Sequence, residues 1–366
     1  MKTITFLKQT ILCMALGFMT LALNAQIITI DNNPGSTTTY QTIQDALNNV
    51  PSGATIYVQP SGTSYGAANI FFPVTIVGRS HSEPTKISQL GAVSIRTSGV
   101  TIKGIRFNSL SYSTQGAPSA PPYVGTKIYE CRFTSAIYGT SAATTTADDI
   151  EVRGCVMTST QTIYADTTNL LFSNNIFLGA INAYNTLTLV VGNNIFRTIN
   201  GATLTNNSAS GTFNLFNNMF TANNGSNITI KLNNGPFNLT NCLTYNYGFG
   251  NLTFTTNASG SFIDVNTLLN TNPLFTDVDN TVAQSFAGTT TYNSAFRPED
   301  DLTLQDPASP ALTGGIGGSE IGLFNSGFNF EKLGNPRGLP SLDITNYDGA
   351  VPKDGNINVT ISAKSY

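Results

Sequence analysis

The stretches VTIKGIRF (100–107), TKIYECRF (126–133), IEVRGCVM (150–157), LLFSNNIF (170–177), LVVGNNIF (189–196), FNLFNNMF (213–220) and FNLTNCLT (237–244) repeat one eight-residue pattern. Their last residues, 107, 133, 157, 177, 196, 220 and 244, lie 26, 24, 20, 19, 24 and 24 positions apart. One apolar strand returning at that period is the mark of a solenoid, in which each unit is a coil that buries its apolar face with its neighbours. Positions one and three are apolar in most copies, as in Val100/Ile102, Ile150/Val152, Leu170/Phe172 and Phe213/Leu215. The strand period of two sends them to one face, which must be the interior. Position eight carries Phe107, Phe133, Met157, Phe177, Phe196 and Phe220, and predicts a second inward column. Position six carries Cys131, Cys155 and Cys242, with Asn175, Asn194 and Asn218 between them and Ile105 in the first copy. That column predicts a ladder of small side chains at an inward turn. Cys131 and Cys155 stand one rung apart, about 4.8 Å, so a disulfide is the alternative reading for that pair. Cys242, four rungs further on, is out of reach. The period is too long and variable for a hexapeptide solenoid, and in-register repetition argues against a sandwich.

Working outward, PVTIVG (73–78) aligns with GVTIKG (99–104) and adds an eighth unit. Upstream, YQTIQDALNNV (40–50) places Ile43, Ala46, Leu47 and Val50 on one helical face, and Pro51-Ser52-Gly53 stops the helix. A solenoid leaves raw core at its ends, so this amphipathic helix is expected as an N-terminal cap. Before it, Lys2 and Lys8, an apolar run from Ile11 to Leu23 and then Asn24-Ala25-Gln26 read as a secretory signal cut after Ala25. The expected organisation is therefore a signal peptide at 1–25, a β-helix domain at 26–324 and a C-terminal β-ribbon or tail at 325–366. In that tail, VPKDGNINVTISAKSY reads as a turn at 352–355 leading into a strand. The product is expected to be secreted or held at the outer cell surface, with the periplasm as an alternative, and to keep no transmembrane segment once the signal is removed.

Charged residues make up only 10% of the chain, and the net charge is −3. That excludes the basic footprint of a nucleic-acid binder and a polybasic membrane patch. Asn, Thr, Ser and Gly carry the polarity instead. Such residues suit stacked rungs, because short polar side chains close turns without like-charge repulsion between equivalent positions. Neither a CxxC pair nor a His–Cys metal spacing is present.

TIQDALNNVPSGATIYVQPSGTSYG (42–66) followed by PVTIVG resembles the opening of secreted bacterial right-handed parallel β-helix proteins of the pectin lyase-like superfamily. NPLFTD (272–277) and DLTLQDPASPAL (301–312) resemble their closing coils, so the similarity spans about residues 38–324. The resemblance implies an all-β, right-handed parallel β-helix. It says little of activity, because that superfamily holds lyases, hydrolases, esterases and adhesins alike.

Outward positions two and four place Lys103, Lys127, Tyr129, Glu151 and Arg153 on neighbouring rungs. Asp149 lies two residues before Glu151 and points the same way. With Asp148 and the turn residue Arg132, which shares its column with Arg106, these form one candidate patch with three readings. In the first, Lys127–Glu151 and Asp149–Arg153 are solvated pairs worth well under about 1 kcal/mol each. In the second, Lys103, Tyr129 and Arg132, with Phe216 further along, bind a polysaccharide or another envelope component. In the third, the resemblance to polyuronate lyases implies calcium on Asp149 and Glu151, with Lys127 or Arg153 taking the α-proton.

Other features carry less chemistry. Leu171, Val190 and Phe216 form an outward apolar stripe, expected either to be covered by loops or the C-terminal ribbon or to serve as a partner surface or sugar platform. Asp264, Asp277, Asp279, Asp300 and Asp301 are expected in turns, the last two in a solvated loop. His81, the only histidine, reads as a turn residue. Asp166-Thr167-Thr168, expected in a loop, resembles a bacterial O-glycosylation tripeptide. The expected function is non-catalytic binding of extracellular glycan or envelope material without a cofactor. The alternative is a calcium-assisted polyuronate lyase.

Overall fold

The computed structural model describes residues 27–364 except 114, 119, 136, 139–145, 164–165, 185, 199–202, 207–210, 223–227, 233–235, 247–253, 259–260, 278–296, 299, 326–327, 339–340 and 348–358. The expected signal peptide, Asp279 and the expected turn at 352–355 lie outside the described residues.

The chain forms an all-β parallel solenoid, and the eight-residue pattern is its corner. Positions one to four run along a first sheet, five and six make a two-residue turn, and seven and eight start a strand of a second sheet. The first sheet has 13 strands, running from Ile27–Ile30 through Thr101–Lys103, Lys127–Tyr129, Ile150–Arg153, Asp166–Ser173, Thr186–Gly192, Thr212–Phe216 and Phe237–Thr240 to Phe262–Val265. The second has seven, from Arg106–Phe107 to Leu243–Asn246. The third face consists of a four-stranded sheet, Ala68–Ile70 to Ile137–Tyr138, and a five-stranded one, Gln161–Ile163 to Phe254–Ala258.

Pairing is parallel and keeps equivalent positions in line. One file runs Ile102, Ile128, Val152, Phe172, Val191, Leu215, Leu239, and every member is buried. The phenylalanine column also forms. Phe177, Phe196 and Phe220 stack with ring centroids 4.6 and 4.8 Å apart, and Phe107 meets Phe133 edge-on at 4.5 Å. These spacings are the rung repeat itself, so each ring is buried by its counterpart one coil away.

The turn explains why Gly and Asn dominate position five, and Asn and Cys position six. Position five is left-handed throughout: Gly104, Glu130, Gly154, Asn174, Asn193, Asn217 and Asn241 all have φ between 47° and 67°. Glycine and asparagine tolerate that conformation best, and Glu130 is the exception. Position six points inward as a ladder. The Asn175 N–H and Nδ2 both donate to Asn194 Oδ1 (2.8 and 3.0 Å), and the same two groups of Asn194 donate to Asn218 Oδ1, both at 3.0 Å. The Cys155 N–H donates to Asn175 Oδ1 at 2.8 Å, so the thiols continue the file at its ends. Cys131, Cys155 and Cys242 are free and buried, which settles the Cys131–Cys155 alternative in favour of the plain ladder. Burial pushes the Cys155 and Cys242 thiols up, the latter to about 12.

The helix forms over Ile43–Asn49 with Ile43, Ala46 and Leu47 buried, and the Thr42 hydroxyl accepts from the Asp45 N–H at 3.1 Å. Ser341–Tyr347 and Val359–Lys364 pair antiparallel. Asp166–Ser173 is a strand, so the Asp166 tripeptide begins a strand and not a loop. Asp264, Asp277 and Asp301 likewise lie in strands.

The second sheet departs most from expectation. Its outward position-seven file, Val156, Ile176, Ile195, Met219 and Leu243, is buried under Phe275, Leu302, Leu304, Ala311, Ile321, Leu323 and Phe330. Residues 314–325 and 328–337 then run back along the turn column as a strap. Asn241 Nδ2 donates to the Gly314 carbonyl (2.9 Å), the Gly322 N–H to the Asn217 carbonyl (2.9 Å), and Asn174 Nδ2 to the Leu323 carbonyl (2.7 Å). Near the solenoid's first rungs, the Leu333 carbonyl accepts from the His81 and Ser82 N–H groups, each at 3.2 Å, and from the Ser80 hydroxyl. The left-handed asparagines therefore serve twice: they close each turn and hook the strap. Asp300 belongs to this layer too. It is buried and paired with Arg197 at 2.8 Å, contrary to the solvated loop expected for it.

Candidate functional site

The outer face of the first sheet is a grid set by parallel pairing. Lys103, Tyr129 and Arg153 are register partners on three rungs, and Thr101, Lys127 and Glu151 form the neighbouring column. Most of the sequence-derived patch is therefore assembled. Tyr129 Oη donates to Glu151 Oε2 at 2.6 Å, and Arg153 Nη2 lies 2.7 Å from Glu151 Oε1. Lys103 Nζ sits 5.7 Å from the centroid of the Tyr129 ring. Arg153 Nε donates to Ser173 Oγ at 3.0 Å, fixing the guanidinium plane from the next rung. Burial, then the Glu151 carboxylate, pushes the Tyr129 hydroxyl well above its usual range, so it stays a donor.

This geometry bears on each expected role. Both Glu151 oxygens are engaged within the protein, by Tyr129 and Arg153. Asp149 is exposed, left-handed (φ 51°), and its N–H donates to Asp148 Oδ1 at 2.8 Å. Among the described residues, no group of three or more His, Cys, Asp or Glu side chains is placed to hold a metal ion. Lys127 is exposed beside Glu151, yet Glu151 pairs with Arg153 and Tyr129 in its place. Arg153 keeps 41% of its side chain exposed.

Arg132 does not join the patch. At position seven it lies on the second sheet, round the corner, in register with Arg106 and Val156. Its Nη1 donates to Ser82 Oγ at 3.3 Å, and burial followed by Arg106 lowers its basicity. His81, whose Nδ1 is 2.7 Å from Ser82 Oγ, is buried beneath Gly334 and held neutral by burial and these two arginines, its pKa lowered to about 3. Phe216 is on the patch's sheet, three rungs beyond Arg153. Its ring leans back over Gly192, where any Cβ would collide with it, so glycine is required there. Between them, Leu171 and Val190 are register partners and half-buried. They floor a groove of about 250 Å³. Beyond Phe216's rung, Asn238 Nδ2 donates to Asn214 Oδ1 at 2.9 Å, an outer amide ladder.

Sequence reasoning missed Glu130, Arg337 and Phe328. Glu130 is 4% exposed at the turn, and Arg337 of the strap lies 3.3 Å from it. Arg337 also stacks on the Phe328 ring at 3.6 Å, whose centroid is 5.9 Å from Arg153. Burial pushes the Glu130 carboxyl up to about 7 against the pull of Arg337, Lys103 and Arg153. The signal available was a glutamate in a column otherwise of Gly and Asn. The strap itself was legible only as apolar residues at position seven, where a two-residue alternation demands polar ones.

Comparison with protein-family models, with curated proteins and with solved structures gave no match. Among the described residues, no helix is long and apolar enough to cross a membrane.

Proposed function

We propose that this protein is an exported, right-handed β-helix of the pectin lyase-like kind, capped by the helix at Ile43–Asn49, that binds extracellular glycan or envelope polysaccharide without catalysis. The glycan lies lengthwise on the outer face of the first sheet. The observation that carries this reading is the series of cationic, aromatic and amide side chains along the sheet, with Lys103, Tyr129 and Arg153 on three consecutive rungs and Phe216 and Asn238 three and four rungs beyond Arg153. Rungs repeat at about 4.8 Å, so an extended polymer lying along the sheet meets a new side chain at each step. Guanidinium, amide and phenol groups recognise hydroxyls by hydrogen bonds, while aromatic rings cover the apolar faces of sugars. The lyase alternative has less behind it, because Tyr129 and Arg153 already occupy the Glu151 carboxylate.

The test is retention of the chain on a panel of immobilised polysaccharides and envelope fractions. Retention by at least one glycan, reduced by Lys127→Ala and by Arg153→Ala, is expected. Passage through the whole panel without retention refutes the proposal.

A further inference from the structure

The groove between the Asp149 corner and Val190 carries the reading above one step further, to the kind of sugar. A flat aromatic floor suits the face of a pyranose ring. Here the floor is two branched aliphatic side chains, Leu171 and Val190, paired across neighbouring strands. Such a floor matches a methyl group. Its rim is polar: Asn169 and Thr188 precede the floor residues by two positions, share their face and are register partners. Asp149 closes the corner.

Hydrogen-bond capacity at the rim is specific. The Asp149 carboxylate is exposed and, among the described residues, has no hydrogen-bond partner, so it offers acceptors only. The Thr188 hydroxyl, likewise without a partner among the described residues, can donate. Asn169 gives its Nδ2 to Asp148 Oδ1 at 3.1 Å. A complementary group therefore presents a methyl to the floor, an N–H to Asp149 and a carbonyl oxygen to Thr188. An acetamido group has all three. A plain hexose has no methyl, and a uronate brings its charge against Asp149.

Resting on the glycan-binding reading, we infer that this groove recognises the acetamido group of an N-acetylated sugar. The test is calorimetric titration of the full chain with β-1,4-linked oligomers of N-acetylglucosamine and of glucose, which share backbone geometry. The acetylated oligomer is expected to bind about tenfold more tightly. Val190→Asn, which makes the floor polar, and Thr188→Ala, which removes the donor, are each expected to erase most of that preference while the melting curve stays near that of the parent. Equal binding of the two oligomers, or a preference that survives both variants, overturns the acetamido assignment and leaves glycan binding standing. Retention of panel glycans without acetamido groups, with the acetylated oligomer unbound, does the same. Failure to bind any glycan removes both readings.

Discussion

Replacing Asn194 by alanine strikes the solenoid where its rungs are joined. The side chain is fully buried. Its Oδ1 takes the Asn175 N–H and Nδ2, and its Nδ2 donates to the Phe172 carbonyl (3.1 Å), the Gly192 carbonyl (2.9 Å) and Asn218 Oδ1 (3.0 Å). Truncation strands the Asn175 N–H away from water, at a cost of about 1–3 kcal/mol. Weakened bonding at the two carbonyls and the small cavity left behind bring the total to about 3–5 kcal/mol. Asn238→Ala is the matched control. Its amide also bonds to a neighbouring rung, to Asn214, but on the half-buried outer face, and the expected loss is about 0.5 kcal/mol. Urea unfolding followed by far-ultraviolet circular dichroism measures both. Solenoid stability sums over neighbouring rungs, so a second probe must give coincident transitions before one free energy is quoted. A loss below about 1 kcal/mol for Asn194→Ala, or equal losses for the two variants, refutes the view that buried ladder amides hold the coils in register.

Two further outcomes follow from the strap. Because burial raises the Glu130 carboxyl to about 7 from an ordinary 4.5, the folded state holds that proton more tightly than the unfolded chain. Its contribution is therefore fully present below about pH 4.5 and is lost as pH rises towards 7, by roughly 3 kcal/mol. Glu130→Gln should flatten that slope in urea midpoints measured from pH 4 to 8, and an unchanged slope disproves the assignment. Asp300→Ala removes one partner of the buried Arg197 guanidinium and should cost up to about 3–5 kcal/mol by the same unfolding measurement; a neutral result shows that the pair is not sealed from water.

The coil, its inward files and the ladder were legible because inward positions answer to a rule that repeats. A side chain on the axis side can rest only on its counterpart, so Phe177, Phe196 and Phe220 announce their stack through spacing alone. Lys103, Tyr129, Glu151 and Arg153 were legible as neighbours for the same reason. What spacing cannot show is which of several neighbours a long side chain chooses. Glu151 takes Tyr129 and Arg153, and not Lys127, because Tyr129 Oη and Arg153 Nη2 reach its two oxygens together. Arg132 was misplaced because position seven follows the corner, and a two-residue turn swings it to another sheet. The strap was hidden because its contacts join residues far apart in sequence, Asn174 to Leu323 being one, and no local period encodes them.

The repeat also separates positions fixed by packing from positions that packing leaves open. Inward files tolerate little change, since a misfit on one rung disturbs two others. Position seven is equally constrained from Val156 to Leu243, because the strap seals it. Position four on the first sheet is bound by neither demand, and it changes at every rung: Lys103, Tyr129, Arg153, Ser173, Gly192, Phe216, Thr240. If that column served only to cover the coil, short polar residues like those of the turns would suffice throughout. Instead it places two cations and an aromatic in succession, then clears a glycine so that a second aromatic can lie across it. The outward positions of the first sheet are therefore where the chain is freest to vary, and the proposed glycan contacts draw on that freedom.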